Sequence, residues 1–100
     1  MNRSKIKLPG DKVSDFCQKH RIVRFSLFGS VLREDFNEHS DIDVLVEFEP
    51  EHIPGFLRLA GMEMELSELV GGRKVDMRTP DELSRYFRNE VMAAAEIQYG

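Results

Sequence analysis

One hundred residues with 41% hydrophobic and 32% charged side chains suit one soluble globular domain and leave little room for a second. The net charge of −4 argues against a dedicated nucleic-acid binder, which is normally basic. The single cysteine, Cys17, excludes an intrachain disulfide, and with no apolar leader in Met1–Lys7 and no membrane-spanning run a cytoplasmic protein is expected.

Residues 1–9 read as a loosely held start to a domain spanning 1–100. Residues 11–20 suggest a short helix with Val13, Phe16 and Cys17 on one side. That places Cys17 in the core, where a thiol acts as a small apolar group and not as a nucleophile. Ile22–Phe28 alternates apolar and polar residues as a half-buried strand does. Gly29-Ser30 ends it and opens a helical turn through about Asp35, followed by a polar loop over 36–40. Residues 41–48 form a second strand, with Ile42, Val44, Val46 and Phe48 facing one way and Asp41, Asp43, Leu45 and Glu47 the other. An amphipathic helix over 56–70 carries Leu59, Met62, Leu66, Leu69 and Val70 on one stripe and stops at Gly71-Gly72. A short strand, 74–77, precedes Thr79-Pro80-Asp81-Glu82, a helix start with Thr at the N-cap, Pro at the first position and Glu at the third. A helix is expected from there toward Ile97. The order implies a small α/β (α+β) fold, a mixed sheet with helices packed on one face and the other face left for a site.

Two segments carry chemistry. The Gly29-Ser30 turn offers backbone N–H groups and a hydroxyl to phosphate oxygens. Asp41 and Asp43, one residue apart on a strand, point to the same side, where magnesium could take carboxylate oxygens together with substrate phosphates. The alternative, a turn-capping Asp41 and a solvated Asp43, is weakened because two carboxylates open an otherwise apolar strand, where Asp is disfavoured. Asp76, between Val75 and Met77, completes a carboxylate triad if its strand neighbours the first; otherwise it is a solvent-facing residue near a strand end. In the triad it would ligate metal and take a proton from an attacking hydroxyl. Arg33, one turn after Ser30, is placed to reach phosphate or to pair with Asp35, and Ser40 to brace the loop before the acids. His20, His39 and His52 lack metal-ligand spacing and read as surface. Phosphate turn plus metal carboxylates reads as nucleotidyl transfer.

Leu27-Phe28-Gly29-Ser30, Arg33, the block Ser40–Val46 and Gly72-Arg73-Lys74-Val75-Asp76-Met77 together resemble the nucleotidyltransferase superfamily related to DNA polymerase β, and within it the minimal nucleotidyltransferase antitoxins, over roughly residues 13–100. The resemblance implies the minimal nucleotidyltransferase fold and an active site of Asp41, Asp43 and Asp76 as catalytic metal ligands. It implies nucleotide binding by Gly29 and Ser30, to which the residues themselves add Arg33 and Ser40. It further implies ATP as substrate with Mg2+ as cofactor, and a HEPN-domain ribonuclease toxin as partner, neutralised by transfer of AMP to a tyrosine. A chain this size should take its acceptor from a partner protein, in a homo- or hetero-oligomer, with no membrane involved. A non-catalytic antitoxin that only binds its toxin, and a small-molecule nucleotidyltransferase of the aminoglycoside type, are the competing readings. On the last stretch, Tyr86, Met92 and Tyr99 are expected at a partner interface, and Phe87 and Val91 inside.

Overall fold

Helix α1 (Gly10–Lys19) leads into strand β1 (Ile22–Phe28), which ends in a 3-10 turn over Gly29–Leu32. Strand β2 (Ile42–Phe48), a 3-10 turn at Pro50–His52, helix α2 (Phe56–Leu69) and strand β3 (Val75–Arg78) come next. A third 3-10 turn (Pro80–Glu82), helix α3 (Arg88–Ala94) and strand β4 (Glu96–Tyr99) complete the fold. The computed structural model describes residues 8–32, 37 and 39–100.

The four strands form one mixed sheet in the order β3-β2-β1-β4. β1 runs antiparallel to both β2 and β4, while β2 and β3 are parallel. A parallel neighbour requires a crossover, and α2 supplies it. Register fixes the two faces. Phe25 lies opposite Val46 and Leu27 opposite Val44, while Ile42 and Val44 face Val75 and Met77 across the parallel pair. These residues form the core together with Val13, Phe16 and Cys17 of α1 and Met62 and Leu66 of α2. Cys17 is fully buried, as its apolar setting in the sequence implied, and burial pushes its thiol up to about 12.

α2 ends as its glycines require. Gly71 and Gly72 both take positive φ (78° and 86°), and the Gly72 N–H donates to the Ser67 carbonyl at 2.8 Å. At the end of α1, His20 is only 9% exposed, packed 4.7 Å from the Phe16 ring, and is not the surface residue expected. Its Nε2 lies 3.1 Å from Glu65 Oε1 of α2, which also accepts from Lys19 Nζ at 3.1 Å, so one carboxylate joins the two helices. Burial works to raise the Glu65 carboxyl, but hydrogen bonds and charge from His20 and Lys19 outweigh it and hold the group below its ordinary value.

The C-terminal region departs from expectation. Glu82 Oε1 accepts from the Thr79 N–H and hydroxyl at 3.3 Å, so the helix-start signal is honoured, yet it yields only a 3-10 turn. Leu83 turns extended, and the Arg88 guanidinium donates to the Pro80 carbonyl (2.8 Å) and the Leu83 carbonyl (3.2 Å). Those acceptors are thereby satisfied without a continuing helix. Ile97 lies in β4 opposite Ser26, where β1 had a free edge to pair. Phe87 is 60% exposed and Tyr99 packs partly buried against the core, the reverse of what the sequence suggested, whereas Tyr86 is 77% exposed as expected.

Candidate active site

The face of the sheet opposite α1 and α2 carries a second row. Phe28, Asp43 and Asp76 lie in register across β1, β2 and β3, as do Ser26, Leu45 and Arg78. Alternation that buries Val44 and Met77 on one side thus delivers two carboxylates side by side on the other.

Gly29 closes β1 at the end of this row. Its φ is +71°, and a Cβ there would collide with the Asp43 carboxylate, lying 3.1 Å from its Cγ. Both conformation and space therefore demand glycine. Ser30 comes next within the 3-10 turn, and Arg33 lies outside the described residues. Gly29, Asp43 and Asp76 open together into a hollow of about 500 Å³ that Arg78 and Glu90 also reach. Phe28, Leu32, Leu83 and Val91 give it an apolar wall, so Val91 faces this hollow.

Asp41 precedes β2 by one residue, 3.7 Å from Lys74 Nζ, and is not among the residues lining the hollow. Ser40 belongs to the loop and is not among the residues lining the hollow. Its hydroxyl accepts from the Asn37 N–H at 3.1 Å, and Asn37 Oδ1 accepts from the His39 N–H at 2.8 Å. Arg73 Nη2 donates to the carbonyls of Asn37 (2.5 Å) and Ser40 (3.1 Å), and Ser67 Oγ donates to the Arg73 carbonyl at 2.5 Å. Arg73, tied by its backbone carbonyl to Ser67 of α2, thus fastens with its guanidinium the loop that delivers Asp41. β3 is fixed similarly: Glu63 Oε2 accepts from the Met77 N–H at 2.7 Å.

Arg73, Glu63 and Arg78 were not assigned roles from sequence. The first two act across distances in the chain that no local pattern marks. Arg78 had a signal, since two residues after Asp76 on a strand is the same face. Its Nε lies 3.2 Å from Asp76 Oδ1, and its Nη2 donates to Oδ2 at 3.3 Å.

The donor set consists of hard carboxylate oxygens, one of them close against the backbone of Gly29. Among the described residues no three His, Cys, Asp or Glu side chains converge tightly enough to hold a metal by themselves. The two carboxylates in register, Asp43 and Asp76, would leave magnesium to complete its octahedron with phosphates and water.

The sequence profile of the nucleotidyltransferase domain family matches residues 11–97. The chain belongs to that family. This nucleotidyltransferase has relatives over most of its length. A Methanocaldococcus jannaschii protein, named as a candidate protein adenylyltransferase, is 34% identical over 95% of this chain and 96% of its own. A solved structure described as a candidate minimal nucleotidyltransferase is 34% identical and superposes with a TM-score of 0.71 over 86% of this chain and 85% of that one. A toxin-antitoxin crystal structure with AMP-PNP shares the fold at a TM-score of 0.75 and 18% identity, over 93% of this chain and 74% of that one. The four-stranded mixed sheet with three helices is therefore the minimal nucleotidyltransferase fold, but the helices are not all on one face as expected, since α3 borders the hollow opposite α1 and α2. No helix among the described residues is long and apolar enough to cross a membrane.

Proposed function

We propose that this nucleotidyltransferase moves AMP from ATP, with Mg2+, onto a tyrosine hydroxyl of a partner HEPN-type ribonuclease toxin and so acts as its antitoxin. The observation that carries the reading is the contact of Gly29 with the Asp43 carboxylate, with Asp76 in register beside it. A turn without a side chain lets phosphate approach the backbone, and the carboxylates beside it suit a metal that arrives with that phosphate. Asp43 and Asp76 would hold the ion, with Asp41 as the third carboxylate. When bound, it supplies charge neutralisation on the triphosphate.

The Gly29-Ser30 turn orients the phosphates, with Arg33 as a further phosphate contact. Ser40 and Arg73 keep the Asp41 loop in place. Asp76 accepts the proton as the acceptor oxygen bonds to the α-phosphorus; the bond to the bridging oxygen breaks and pyrophosphate leaves. Transfer to a protein is supported by the name of the 34% identical relative, and a toxin partner by the toxin-antitoxin assembly that shares the fold. Intact-mass spectrometry of the co-expressed partner, after incubation with this chain, ATP and Mg2+, tests the proposal. Gain of one or more AMP masses, absent with Asp43→Asn, is expected. An unchanged partner mass with an active, folded chain would overturn it.

A further inference from the structure

The guanidinium of Arg78 engages both oxygens of Asp76, with Nε 3.2 Å from Oδ1 and Nη2 donating to Oδ2 at 3.3 Å. Such a two-pronged pair satisfies a carboxylate in the plane where a cation would otherwise sit. Arg78 has a second acid within reach: its Nη1 lies 3.8 Å from Glu82 Oε2, while the other Glu82 oxygen accepts from the Thr79 N–H and hydroxyl. Glu82 is thus held ready by its own capping contacts. Asp76 and Arg78 both line the hollow with Asp43.

We infer that Arg78 is a positioning residue that occupies the Asp76 carboxylate in the metal-free protein and yields it to the incoming divalent cation by shifting to Glu82. The inference rests on the function proposed above. In the resting chain the fork offsets repulsion between the Asp43 and Asp76 carboxylates, which stand in register. The same fork makes metal compete for Asp76, so the pair is completed only when a cation, carried by nucleotide phosphates, displaces the guanidinium. Arg78 therefore lowers the affinity for free metal and couples closure of the site to arrival of the substrate.

The test is titration of the full chain with Mn2+ alone, monitored by paramagnetic resonance, and separately with ATP without metal, for wild type, Arg78→Gln, Arg78→Lys, Asp76→Asn, the Arg78→Gln/Asp76→Asn double variant and Asp43→Asn. The pair is about half exposed, so Arg78→Gln should bind Mn2+ tighter by about threefold to fivefold. Arg78→Lys, which keeps charge but not the fork, should fall between. In an Asp76→Asn background, Arg78→Gln should no longer change Mn2+ affinity, a dependence that a purely structural arginine would not show. Unchanged or weaker Mn2+ binding by a folded Arg78→Gln, or a gain that persists without Asp76, overturns the inference. Arg78→Lys carries the same decision if the glutamine variant fails to fold. Loss of metal-free ATP binding with Mn2+ affinity unchanged would also overturn it, making Arg78 a phosphate contact. If wild type binds Mn2+ through Asp43 but Arg78 has no influence, only this inference falls. If Asp43→Asn leaves Mn2+ binding unaltered, the metal assignment falls with it.

Discussion

At Gly29 a single hydrogen atom in place of a methyl group decides whether the turn and the Asp43 carboxylate can occupy the same corner. Gly29→Ala should lose about 1–3 kcal/mol from left-handed strain alone, visible in urea melts, and should displace Asp43. Asp43→Asn has the opposite profile. It keeps shape and loses charge, so the melt should stay close to wild type. AMP transfer from radiolabelled ATP should fall at least about a thousandfold, equivalent to about 4 kcal/mol of barrier. Near-normal transfer by the folded Asn variant would remove Asp43 from the chemistry. Measured together, the two variants separate the geometry of the corner from its charge. Both residues were legible in the sequence, because a Gly-Ser turn and an Asp-x-Asp strand opening are local patterns. Arg73 was not, since its use lies in bridging to Asn37 and Ser40, remote in the chain.

Elements were legible where one period dominates. β1 falls at Ile22–Phe28 as the alternation indicates, and α2 at Phe56–Leu69 lies within the stretch marked by its apolar stripe. The region after Thr79 escapes such a reading because a capping box announces only a first turn. Beyond that turn the path of the chain is set by Arg88, which takes the Pro80 and Leu83 carbonyls, and by the open edge of β1. The tie between α1 and α2 is a feature that titration can isolate. Glu65 is held below its ordinary value, so its pairing with His20 and Lys19 contributes stability above the unfolded glutamate pKa, about 4.3, and that contribution is lost as pH falls below it. Melts of wild type and Glu65→Gln should therefore converge as pH drops through this window. A gap that stays constant would show that Glu65 acts by packing alone.

For the molecule as a whole, metal and nucleotide should register as stability. Asp43 and Asp76 stand side by side, so Mg2+ with ATP should raise the melting temperature more than ATP alone; saturation at a hundredfold excess over Kd corresponds to about 2.7 kcal/mol. Asp76→Ala should show a smaller difference between the two conditions. Equal shifts with and without Mg2+ would speak against a shared carboxylate site. The sheet itself has two outer strands, β3 and β4, and they are not equivalent. On β3 the Met77 N–H is already taken by Glu63. A foreign strand approaching that border finds a donor spoken for and a negative charge in its path, the kind of obstacle that keeps sheets from growing into one another. A carboxylate that steadies Asp76's strand thereby also discourages aggregation along that side.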